Sequence, residues 1–174
     1  MSERMTRTRR CADGVWRLSR RFEWHSSPAW IAFRSVMAKR SIPKGGTRGT
    51  VYRAAARERI LDAELLHESR RVHGAIYLAG YAIECHLKYA VCEQSGTPHL
   101  ETSLEIHSWE RLAAESGIVH TIRRNHRMQA IYEELAEAWN TSLRYNSDSR
   151  VTSHELELYA KLVALYQFLK ETVP

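Results

Sequence analysis

From Tyr52 onward apolar residues return every three or four positions, the spacing of an amphipathic helix. Tyr52, Ala56, Ile60, Ala63 and Leu66 share one stripe, with Arg57, Glu58, Arg59 and Asp62 mostly to its side. This predicts a first helix over about 51–68, followed by a connection at Ser69 to Arg71. The next stretch, about 72–94, places Val72, Ile76, Ala79, Ile83, Leu87 and Ala90 on one face, while Tyr77, Tyr81 and Lys88 widen the covered surface. A helix so broadly apolar is expected at the centre of the fold. Ser95, Gly96 and Pro98 end it, with glycine after the last turn and proline just beyond.

Residues 99–106 read as a loop. A short third helix is expected over His107 to Ser116, closed by Gly117. A fourth, over about 125–141, is marked by Met128, Ile131, Tyr132, Leu135 and Trp139. The polar run LRYNSDSR interrupts the pattern before Thr152 or Ser153 caps a last helix over about 153–172. Glu155 sits in its first turn, and Leu156, Tyr159, Leu162, Val163, Tyr166 and Leu169 form its inner face. No internal repeat and no alternating strand pattern occurs. The expectation is an all-α fold over residues 51–174, a five-helix bundle packed mostly antiparallel in up-and-down order.

Residues 1–50 lack any sustained period, hold three of the five tryptophans, and end in the breaker-rich SIPKGGTRGT. They read as a disordered basic extension and linker. Their arginine-rich, acid-poor composition is similar to that of a transit peptide, although Arg34 breaks the apolar patch and no secretory h-region is present. Met37 is an alternative start of the natural chain.

Charge changes the picture only after it is divided along the sequence. The net +6 arises because residues 1–50 hold 12 Lys/Arg against 3 Asp/Glu, whereas residues 51–174 hold 14 against 17. The expected fold is therefore slightly acidic and offers no broad cationic surface for phosphate backbones, leaving only local patches such as Arg123, Arg124 and Arg127. Cys11, Cys85 and Cys92 form no metal spacing, and the last two are separated by about 10 Å along one helix, too far to bridge. They read as reduced thiols of a cytoplasmic protein. No run of about 18 apolar residues suggests a membrane span.

The chemistry-bearing candidates concentrate in AIYLAGYAIECHLK, Ala75 to Lys88, where Glu84 and Lys88 lie one helical turn apart. An exposed pair in this orientation adds about 0.3–0.5 kcal/mol to a helix. Two readings stand: a solvated surface pair, or a carboxylate turned into a cleft, where it needs a charged or multiply hydrogen-bonding partner. His107 has Glu105 and Glu110 near it, too few for a metal site, and reads first as a cap or packing residue of the short helix. The nine histidines form no His-x-x-x-His unit, and GGTRG at 45–49 lacks the ending of a phosphate-binding loop. No metal and no cofactor is expected. The tyrosines at helical spacing, Tyr77, Tyr81, Tyr89, Tyr132, Tyr159 and Tyr166, read as core and interface material.

LAGYAIECHLK at Leu78–Lys88, the downstream His107 with Trp109 and Leu112, and Trp139 followed by Arg144-Tyr145 together resemble the HEPN family. These are small helical domains of prokaryotic toxin, defence and nucleotidyltransferase-associated proteins. The resemblance covers about residues 51–174. It implies a ligand-binding set of Glu84, Lys88, His107, Arg144 and Tyr145, with Glu84 orienting Arg144 toward phosphate and Tyr145 placed to stack on a base. It also implies a homodimer, or pairing with a minimal nucleotidyltransferase in a toxin–antitoxin-like unit, with a nucleotide or RNA as ligand.

Catalytic members of that family are metal-independent ribonucleases with an arginine followed, after four to six residues, by a histidine. This chain departs from the pattern: Ser149, Arg150 and Val151 occupy those positions, and His154 follows Arg144 only after nine intervening residues. Arginine cannot exchange a proton near pH 7, so Arg144 with His154 forms only an atypical nuclease pair. Arg20 and His25 match the spacing, but in an arginine-rich tail where coincidence accounts for it. The sequence therefore favours a binding module over an atypical ribonuclease or a purely structural helical adaptor.

Overall fold

The computed structural model describes residues 46–145 and 151–174, apart from the side chain of Arg144. The basic extension up to residue 45, with Cys11, Met37 and the Arg20–His25 pair, lies outside the described residues. So do Ser149 and Arg150.

Among the described residues the fold is all-helical. Six α-helices are present: α1 (Gly49–Glu68), α2 (Val72–Ser95), α3 (Trp109–Glu115), α4 (Ile118–Arg124), α5 (His126–Ala138) and α6 (Ser153–Thr172). Two 3-10 turns, Thr102–Leu104 and Thr141–Tyr145, join them. None of the described helices is long and apolar enough to cross a membrane.

The helix absent from the sequence reading is α4. It is seven residues long and buries only Ile118 and Ile122, a signal too short for periodicity to reveal. Gly117, at φ +70°, turns the chain between α3 and α4. Polar side chains cap three of the helix starts. The Ser108 side chain accepts from the Arg111 N–H to start α3, and Asn125 accepts from Met128 N–H to start α5. Thr152 and Glu155 form a reciprocal capping box at α6.

Helix α2 is the centre on which α1, α3, α6 and the second 3-10 turn all pack. Every residue from Ala82 to Cys92 is buried, so all sides of the helix are covered over three turns. The amino end of α1 meets the carboxyl end of α2, where Gly49 lies against Tyr89 and Cys92, and its other end meets Gly74 through Leu66. These two helices are antiparallel. Helix α6 instead runs in the same direction as α2: Glu155 contacts His73 near the start of α2, while the carboxyl end of α6 meets its second half, Leu169 with His86 and Pro174 with Tyr89. The segment between α2 and α6 must travel back along α2 before α6 begins, which breaks strict up-and-down alternation.

Candidate functional site

Burial of a full helix turns its polar residues into obligations, because a charge removed from water needs a partner. Glu84 has no solvent exposure, and the side chain of Lys88 keeps only 7% of its surface. Lys88 Nζ donates to Glu84 Oε1 at 2.8 Å. The solvated-surface reading of this pair is thereby excluded.

The second partner of Glu84 is His107. Its Nδ1 lies 2.9 Å from Oε2 and 3.1 Å from Oε1, although 63% of the His107 side chain is exposed. An ionised carboxylate only accepts, so the contact assigns the proton to Nδ1 and leaves Nε2 without a partner among the described residues. Ser108, one residue on, makes the cap of α3, which frees His107 from the capping role its position suggested.

A second layer closes the carboxyl-terminal side of this site. Lys88 Nζ sits 5.5 Å from the centroid of the Tyr52 ring, where the ring face favours a cation. The Tyr52 hydroxyl donates to Glu105 Oε1 at 3.5 Å, and the same oxygen accepts from the Thr47 backbone N–H at 3.2 Å. Burial, as the largest cause, raises the Tyr52 pKa and keeps its hydroxyl protonated. Tyr52 had read only as part of an apolar stripe, and Glu105 only as a neighbour of His107. Their meeting depends on the loop after α2 folding back to α1, where Leu100 N–H donates to Thr47 O and Gly49 N–H to Pro98 O.

On the other side of Glu84, one turn earlier, Gly80 admits Trp139. A Cβ at Gly80 would stand 1.9 Å from Trp139 Nε1, so only glycine permits this approach. Trp139 stacks on Trp109 with centroids 5.0 Å apart and on Tyr77 at 6.4 Å. The aromatic stack ties the segment before the second 3-10 turn to the start of α3, two residues after His107. Both indole N–H groups are buried without a hydrogen-bond partner among the described residues.

The sequence-derived candidates are thus distributed as follows. Glu84, Lys88 and His107 come together. Glu84 is sealed from solvent, and the described side chains it holds are His107 and Lys88. Arg144 belongs to the 3-10 turn packed against α2, but its side chain lies outside the described atoms. Tyr145, in the same turn, is 75% exposed. His154 is exposed in the first turn of α6, beside Glu155, whose contact with His73 places this end of α6 at the start of α2. Eleven helical residues separate His73 from Glu84, about 16 Å along the axis. No group of three or more His, Cys, Asp or Glu able to hold a metal occurs among the described residues.

Chemically, the arrangement is an exposed imidazole fixed by a buried carboxylate, with Nε2 available to accept a proton or a hydrogen bond. No protein-family model, curated protein or solved structure matches the chain.

Proposed function

We propose that residues 51–174 form a HEPN-like binding module that takes a nucleotide or an RNA phosphate beside His107 and the Arg144–Tyr145 turn. The module works as a homodimer or beside a minimal nucleotidyltransferase in a toxin–antitoxin-like unit, and a mostly antiparallel helical bundle goes with that reading. The observation that carries the proposal is the Glu84–His107 contact. The carboxylate, already buried with Lys88, also fixes the orientation of an exposed ring whose Nε2 has no partner among the described residues. The test is calorimetry of the full chain with ATP and AMP, together with copurification from its natural host. His107→Ala is expected to weaken nucleotide binding at least tenfold while the chain keeps its helical circular dichroism. Equal affinity in the variant, or an inert monomer with every nucleotide, would remove the proposal.

The same contact favours a second reading, a metal-independent ribonuclease in which His107 replaces the histidine missing after Arg144. Nε2 of His107 would take the 2′-hydroxyl proton as that oxygen bonds to phosphorus, the P–O5′ bond would break with the 5′-oxygen taking a proton from water, and Glu84 would hold the ring in position. Cleavage of RNA in EDTA that is lost in His107→Ala and retained in His154→Ala supports this reading. Intact RNA under those conditions eliminates it.

A further inference from the structure

Two residues along a helix turn the side chain by about 200°, so His86 faces away from Glu84 and lies on the opposite side of α2. There a recess of about 80 Å³ is lined by Arg53, Arg57, His86, Tyr166, Lys170 and Pro174. At about 30 Å³ for a water's share of liquid volume, this is the room of roughly two to three waters. A tetrahedral oxyanion fits such a space; a nucleoside does not.

Three of the six lining residues are cations. Arg53 and Arg57 stand one turn apart on α1, where like charges repel, and Lys170 reaches the same recess from the last turn of α6. None of these three cations takes part in an ion pair with a described residue. Arg53 is held over the Tyr89 ring at 5.3 Å, and the Tyr89 hydroxyl donates to Pro174 O at 2.9 Å, which keeps the last described residue at the rim.

A second observation points to an acceptor. Tyr166 is 2% exposed, lines the recess, and its hydroxyl makes no hydrogen bond with a described residue. Burial is the largest cause raising its pKa, so the group remains an O–H donor. His86 has its Nε2 committed to the carbonyl oxygen of Leu169 at 3.2 Å, and burial lowers its pKa. Its ring therefore forms a neutral wall, and the positive charge comes from the two arginines and the lysine.

We propose that this recess binds a tetrahedral phosphate group, either free inorganic phosphate or the terminal phosphate of a larger molecule, with Arg53, Arg57 and Lys170 balancing its charge and the Tyr166 hydroxyl donating to one of its oxygens. The site is separate from the Glu84–His107 edge and does not depend on the function proposed there.

The experiment is an amide NMR titration of the full chain with inorganic phosphate, with ionic strength held constant by sodium chloride. Saturable shifts centred on Arg53, Arg57, His86, Tyr166 and Lys170 are expected. The double variant Arg57→Gln/Lys170→Gln should bind at least tenfold more weakly, and Tyr166→Phe several-fold more weakly. Arg127→Gln, an exposed change of the same charge on α5, should leave the titration unchanged. AMP and adenosine separate the sources: a terminal-phosphate site binds AMP at least as well as inorganic phosphate and ignores adenosine, whereas a free-phosphate site excludes AMP. Shifts that never saturate, that centre on residues outside the recess, or that persist at equal affinity in the double variant would overturn the proposal.

Discussion

His107 Nδ1 rests 2.9 Å from Oε2 of Glu84, so a largely exposed ring is anchored on a carboxylate that water does not reach. The same carboxylate holds the Lys88 ammonium 2.8 Å from its other oxygen. One buried acid thus answers for a cation inside the fold and an imidazole at its surface.

Replacing that acid separates the two roles. Glu84→Gln leaves the Lys88 ammonium buried without its anion, and breaking a buried pair in this way costs about 3–5 kcal/mol. Urea denaturation should show that loss. Adding Lys88→Met, which removes the stranded charge, should restore much of the stability. If the double variant is no more stable than Glu84→Gln alone, the pair does not govern the packing of α2.

Close approach at Gly80 gives a second expectation. An added Cβ meets Trp139 Nε1 at 1.9 Å, and the indole is held between Trp109 and Tyr77. Gly80→Ala should therefore cost about 1–3 kcal/mol through overpacking and alter the near-ultraviolet dichroism of the tryptophans. Gly74→Ala makes the contrast, because its Cβ meets only the mobile end of Leu66 at 3.1 Å. There the better helix propensity of alanine, about 1 kcal/mol, is opposed only by a small shift of that side chain. Equal losses at both sites would show that the indole stack yields.

Acid sensitivity follows from His86. Its pKa is lowered from 6.5, first by burial, then opposed by backbone hydrogen bonding and assisted by the charges of Arg53 and Lys170. The unfolded chain therefore takes up this proton before the folded one does. The contribution of His86 is complete above pH 6.5 and declines as pH falls through the interval below it. Melting temperature followed from pH 7.5 to 5 should drop less steeply in His86→Gln than in the parent chain. An identical slope would place the titration elsewhere.

Thiol chemistry offers a fourth check. Burial, then the neighbouring Glu84 charge, pushes the Cys85 thiol up to about 11, and burial also raises Cys92. The thiolate is the reactive form. In native protein at pH 8 both residues should resist a disulfide reagent and become reactive only at the rate of unfolding. Rapid labelling of Cys85 in the folded state would contradict the closed packing around α2.

The helical character of the chain, the central place of α2 and the capping of α6 were legible in the linear order of residues, because each is a local effect. A three-to-four-residue period, a Thr152–Glu155 box or a glycine after Ser95 acts within one or two turns. The pairing of Glu84 with Lys88 was legible for the same reason. Local order could not say whether that pair faced water or the interior, since the covering elements come from distant segments. Only the tertiary structure brought His107 onto Glu84 across 23 positions and Glu105 onto Tyr52 across 53. It also turned Gly80 into a seat for Trp139, and converged Arg53, Arg57, Tyr166 and Lys170 on one recess. These relationships depend on where helices cross, which packing decides, whereas periodicity reports only which face each helix hides.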